Sequence, residues 1–152
     1  MAVTDAPTLG KGERISSKKK MGRLFGGGHS KSMSAFPLRA VYAVVPREKG
    51  EAEAAMMVSV PKRMFRRAVK RNRVKRQVRE AYRLNKQVLA GALAELQGRQ
   101  LLLAFVWIDD RLHASAKVHR KVRNILERVA EKIVSGKMPM DDAREGKLHE
   151  DD

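Results

Sequence analysis

The chain has 152 residues, enough for one domain with loose ends and too few for two. It carries 33 Lys and Arg against 17 Asp and Glu, a formal charge of +16, so its surface attracts polyanions. With no Cys it has neither disulfides nor thiolate metal sites. No run of about 18 apolar residues and no signal-peptide core occurs, so a membrane span is not expected and the cytoplasm is the expected compartment.

In chain order, residues 1–13 are polar and aperiodic, which predicts a disordered lead-in. "SSKKKMGRLF" then offers an N-cap serine, and Met21, Leu24 and Phe25 at helical spacing, before "GGG" stops the helix. "LRAVYAVV" (38–45) and "EAAMMVSV" (53–60) are rich in β-formers and bounded by prolines; the polar turn between them predicts an antiparallel pair. A long helix is expected from about Phe65 to Leu96, with Gly98 as its stop. "LLLAFVWI" (101–108) is a strand apolar enough to be buried on both faces. Val118, Val122, Ile125, Val129 and Ile133 then mark one stripe of an amphipathic helix starting near Ser115. After residue 135 the chain turns acidic: the last twelve residues hold six acids and two bases, which reads as a mobile tail and leaves +20 on residues 1–140. The expected domain is therefore 14–135. Its order is α-β-β-α-β-α, an α/β (α+β) two-layer sandwich with a small mixed sheet, because a strand–helix–strand crossover requires a parallel pair.

Residues 67–83, "RAVKRNRVKRQVREAYR", pack eight Lys or Arg into seventeen positions. On a wheel of about 100° per residue, Val74, Val78, Ala81 and Tyr82 form one apolar stripe. Lys75, Arg79, Asn72, Arg83, Arg76 and Arg73 fill the opposite half. One face is built for the core; the other is a rigid row of cations. Such a row costs a few tenths of a kcal/mol per like-charged i,i+4 pair, and solvated helices usually interleave both signs. Phosphates are the anions that would offset it, and arginine forks grip them bidentately. Aromatic residues read without that context are core: Tyr82 from its stripe, Phe105 and Trp107 from their shared strand face. Phe25 and Tyr42 read the same way, Tyr42 sharing a strand face with Leu38, Ala40 and Val44.

"KRNRVKRQVREAYR" resembles the Arg-Asn-Arg signature of the bacterial ribonuclease P protein component, the basic subunit that assists a catalytic RNA in removing 5′ leaders from precursor tRNA. The resemblance extends to "GERISSKKKMGRLF", "MMVSVPKRMFRRAV", "LLLAFVW" and "VHRKVRNILERV", covering about residues 12–134 in the family's order. It implies a left-handed crossover, and RNA binding by Arg71, Asn72, Arg73, Lys75, Arg76 and Arg79, with Arg83 continuing the arc. It further implies a cleft between sheet and first helix that takes the single-stranded leader, with Phe25 and Tyr42 as stacking rings and Met21 where relatives often carry a second aromatic. "SVPKRMFRR" departs from the usual Ser-Lys and Gly of the connection before the signature. The implied partners are the catalytic RNA and precursor tRNA, with no DNA. The implied Mg²⁺ belongs to the RNA, with no cofactor or metal held by the protein alone.

A protein-only nuclease would need its own acids or metal ligands. Asp109 and Asp110 are the best pair, but adjacent strand residues point to opposite faces, and the four histidines lack zinc spacing, so no catalytic side chain is expected. The alternative is a structural, ribosomal-type RNA-binding protein that shares the basic helix and lacks the cleft. A duplex-DNA reader is disfavoured because no short helix precedes the basic one.

Overall fold

In the computed structural model, residues 8–26 and 28–138 are described. The elements are α1 (Lys18–Phe25), β1 (Lys31–Ala35), β2 (Leu38–Pro46), β3 (Ala54–Ser59), α2 (Ala68–Asn85), a one-turn α3 (Ala90–Leu93), β4 (Arg99–Trp107) and α4 (Ser115–Val134). The four strands form one sheet in the order β1-β2-β4-β3. β1 with β2 and β2 with β4 are antiparallel, while β3 and β4 are parallel. The expected mixed sheet and parallel crossover through α2 are present.

β2 and β3 run in opposite directions as anticipated but do not pair; β4 lies between them. The apolar run 101–108 explains the insertion. Leu101–Phe105 are all buried, and only a central strand removes both of its faces from water. The turn after β2 is long enough to step across one strand, with Arg47 N–H donating to the Gly98 carbonyl (3.0 Å) and Leu101 N–H to that of Glu53 (2.9 Å). β1 escapes a sequence reading because "KSMSA" buries only Met33 and sits at an edge.

One sheet face carries the larger core. Leu38, Ala40, Tyr42 and Val44 of β2 and Leu101, Leu103, Phe105 and Trp107 of β4 meet Val74, Val78, Ala81 and Tyr82 of α2 and the full predicted stripe of α4. The other face is covered only by the eight-residue α1 and the segment before it: Leu24 and Ile15 lie on Val41, Ala43, Val45, Ala55, Leu102 and Ala104. Three alanines and a short helix leave part of that face open. Ser17 caps α1 as expected, its Oγ accepting from Lys19 N–H (3.2 Å) and Lys20 N–H (3.4 Å).

Three boundaries differ from the sequence reading. The long helix is interrupted: α2 ends at Asn85, whose side-chain amide donates back to the Ala81 carbonyl (2.8 Å), and a 3₁₀ turn (Lys86–Leu89) and α3 continue to the turn at Gly98, where φ is +74°. Residues 8–13, assigned to the disordered lead-in, are tied down. Glu13 accepts from Lys86 Nζ at 2.6 Å, that same ammonium bonds the Thr8 carbonyl, and Leu9 lies on the larger core. Met138, assigned to the tail, is buried in that core. Residues 1–7 of the lead-in and 139–152 of the acidic tail lie outside the described residues.

Candidate nucleic-acid interface

α2 is an uninterrupted helix of 18 residues, about 27 Å long. Its predicted stripe is buried to the last residue: Val74, Val78, Ala81 and Tyr82 are each at most 2% exposed. That anchorage fixes the azimuth of the opposite half, so the cations stand at helical spacing on a support that cannot roll. Asn72, Arg73 and Arg76 are exposed, and Arg71, Lys75, Arg79 and Arg83 are half-buried.

These cations differ in what they touch. Arg71 Nη1 donates to the carbonyls of Phe65 and Arg66, both at 2.8 Å, which ties the connection after β3 to the first turn of α2. Its acceptors are neutral, so the charge stays uncompensated. Arg83 forms a fork on Glu80, with Nη2 to Oε2 at 2.5 Å and Nε to Oε1 at 3.1 Å. The hydrogen bond from Arg83 holds Glu80 below the usual carboxylate range. The sequence reading placed Arg83 in the free row; one carboxylate of its own helix already engages it. Arg73, Lys75, Arg76 and Arg79 have no carboxylate bonded to them among the described residues.

Arg79 is held below the ordinary guanidinium range by burial first, then by the charges of Arg14 and Arg76. Sequence spacing could not place Arg14 near this face. The chain before α1 runs parallel to β3, with Arg14 bridged to Met56 and Ile15 N–H donating to the Met56 carbonyl (2.8 Å). The Glu13–Lys86 pair pulls this segment against the C-terminal end of α2. Three arginines from two distant segments thereby converge, a geometry that a phosphate would relieve.

Arg14 also lines a cleft of about 320 Å³ between the 11–17 segment, the first turns of α1 and the open sheet face. Lys11, Lys19, Lys20 and Arg23 contribute to its wall, with Pro46, Ala55 and Leu102 beneath. Lys20 Nζ reaches the buried Gln100 Oε1 (2.8 Å) and Glu51 Oε1 (3.1 Å), and Gln100 Nε2 donates to the Ala52 carbonyl (3.0 Å). This chain of bonds sets the height of α1 above the sheet. Burial pushes Glu51 up, but the Glu48 backbone N–H and Lys20 outweigh it and hold its carboxyl below the usual range.

The three residues assigned to the cleft are not brought together. Met21 lies half-buried on the open sheet face beside Leu24. Phe25 is 52% exposed at the far end of α1 and is not in the wall of the cavity. Tyr42 is 2% exposed and sits on the opposite face of the sheet, within the larger core. Strand alternation decides this: Val41, Ala43 and Val45 face α1, so Tyr42 between them must face the larger core. The bare pattern, which grouped Tyr42 with Leu38, Ala40 and Val44 as core, describes its environment; the cleft role implied by resemblance does not fit it.

Asp109 is engaged by two neighbours. Its Oδ2 lies 2.6 Å from His113 Nε2 and its Oδ1 accepts from the Asp110 backbone N–H (2.8 Å), and these bonds, His113 first, hold its carboxyl below the usual range. Among the described residues no three His, Asp or Glu side chains gather as metal ligands, and no helix is long and apolar enough to cross a membrane.

The fold and site define a small mixed-sheet α+β protein with a core-anchored helix of arginines beside a basic cleft. The Ribonuclease P family model matches residues 9–108, which spans the cleft segment through β4 and stops before α4. The chain is 43% identical over 135 residues to the ribonuclease P protein component of Porphyromonas gingivalis W83, covering 88% of this chain and 96% of that one. It is 33% identical over 144 residues to that of Chlorobaculum tepidum, covering 91% and 89%. Among solved structures, its fold is similar to the ribonuclease P protein of Thermotoga maritima (TM-score 0.56, 21% identity, 76% of this chain and 96% of that one). It is also similar to a Staphylococcus aureus ribonuclease P protein mutant (TM-score 0.58, 17% identity, 80% and 90%). The chain belongs to the ribonuclease P protein family.

Proposed function

We propose that this chain acts as the protein subunit of the ribonuclease P ribonucleoprotein, joining a catalytic RNA to precursor tRNA so that the 5′ leader is removed. The observation that carries the reading is the α2 face, where Arg73, Lys75, Arg76 and Arg79 stand in one rigid row with no carboxylate bonded to them among the described residues. In this reading the row, with Arg71 and Asn72, receives backbone phosphates of the RNA. The basic cleft at α1 tracks the leader, and the exposed Phe25, outside the cleft wall at the C-terminal end of α1, offers a ring to an unpaired base beyond it. In this reading phosphodiester hydrolysis belongs to Mg²⁺ held by the RNA, and Asp109, bonded to His113, keeps a structural role.

The protein's contribution is then electrostatic. Two polyanions must approach, and fixed cations replace part of the diffuse divalent atmosphere otherwise needed to screen them. If about five side chains each neutralise a phosphate, affinity falls by roughly three to four and a half orders of magnitude per tenfold rise in salt. Reconstitution with the RNA subunit at low Mg²⁺ tests the reading: cleavage of precursor tRNA should rise above that of the RNA alone, and no gain would sink it.

A further inference from the structure

α4 carries a second cationic face that the reading above leaves unused. Residues 115–126 contain Lys117, Arg120, Lys121 and Arg123 and no acid. Lys117, Lys121, Asn124 and Arg128 recur at i, i+4, i+7 and i+11, one row along the helix. Two contacts fix which way that row faces. Arg123, on the other flank, donates from Nη1 to Asn85 Oδ1 of α2 (3.2 Å), whereas Arg128 Nη1 donates to the Ser34 carbonyl of the edge strand β1 (2.9 Å). The row therefore overhangs the β1 edge. Arg14, bridged to Met56 of β3, lies at the opposite edge of the sheet from β1.

The charges on this flank are uncompensated. Lys117, Arg120 and Lys121 have no carboxylate bonded to them among the described residues, and Arg128 bonds only neutral oxygens of Ser34 and Asn124. Glu127 is taken by Arg123 (3.3 Å). Lys31, which pairs with Tyr42 and so shares its sheet face, adds an exposed cation at the strand edge. At the start of α4 an aromatic joins the row. Phe36 is 52% exposed, and His113, two residues before the helix, braces it edge-on at 6.0 Å.

We propose that the α4–β1 edge is a second RNA-docking surface, on which Lys117, Arg120, Lys121 and Arg128 hold phosphates of a separate stretch of the RNA subunit while Phe36 stacks an unpaired base. It rests on the ribonucleoprotein reading for the identity of that RNA. A protein with cations on two opposed edges holds two RNA segments at a set distance, which one basic helix cannot do.

Because the chain has no Cys, single-cysteine variants carry a tethered iron chelate at one known position. In the full chain assembled with the RNA subunit, Arg73→Cys and Lys121→Cys should each cut the RNA backbone, in two non-overlapping segments. Cutting from Arg73→Cys with none from Lys121→Cys would overturn the second surface and leave the ribonucleoprotein reading standing. Silence from both would overturn the two together. Independently, K117A/R120A/K121A should lower the slope of log affinity against log salt by about 2 to 3. An unchanged slope, with the thermal melt intact, would overturn the proposal. Phe36→Ala should weaken binding about tenfold; unchanged affinity would overturn the stacking role.

Discussion

Burial and then the charge of Arg14, which is carried by the segment bridged to β3, hold the Arg79 guanidinium below its ordinary range, with no carboxylate bonded to either among the described residues. Folding has brought them together although each repels the other, so the pair favours whatever anion fits between them. Arg14→Ala should leave stability unchanged or slightly raised while lowering the salt slope of RNA binding by about one unit. Urea unfolding and filter binding across a salt series check the two halves separately. Loss of stability with an unchanged slope would make Arg14 structural.

Phe25 and Tyr42 should part company on substitution. Tyr42→Ala empties a site in the larger core and should cost about 3–5 kcal/mol. Phe25→Ala removes a half-exposed ring and should stay within about 0.5 kcal/mol of the parent in urea melts. It should nevertheless weaken binding of a precursor with a long leader more than of one with a short leader. Equal weakening of both precursors would take Phe25 out of leader contact.

Glu51 makes α1 docking pH-dependent. Its folded-state pKa is lowered, so the folded protein binds that proton less readily than the unfolded chain. The stabilisation is complete above the ordinary carboxylate range and is lost as pH falls through the lowered folded value. With Glu51 30% and Lys20 17% exposed, solvent screening limits the pair to about 0.5–1 kcal/mol. Glu51→Gln should be less stable than the parent near neutral pH and converge on it in acid. A constant difference across that window would rule out the linkage.

Asp109 and Asp110 supply a check on where the chemistry lies. D109A/D110A should reconstitute with the RNA subunit to within about tenfold of parental cleavage at saturating Mg²⁺, since loss of a metal-ligating acid costs far more than loss of a loop contact. A small fall in thermal stability is expected from freeing His113, which also braces Trp107 edge-on at 5.4 Å.

The amino-acid sequence alone determined the elements whose signals are local and periodic. The buried stripe of α2, the two-faced burial of β4 and the stripe of α4 each follow from 3.6- or 2-residue spacing over a continuous stretch. The row Arg73, Lys75, Arg76, Arg79 was legible for the same reason: a buried stripe on one side of a helix dictates what stands on the other. Tertiary structure alone decided matters that depend on residues far apart in the chain. β4 displaced β3 from β2 because burying an apolar strand on both faces outweighs keeping sequence neighbours adjacent. Arg14 joined Arg79, and Arg128 reached Ser34, through packing that no spacing encodes. Tyr42 went to the core because strand alternation aims it away from α1, and only the placement of helices on the two faces says which face holds the cleft.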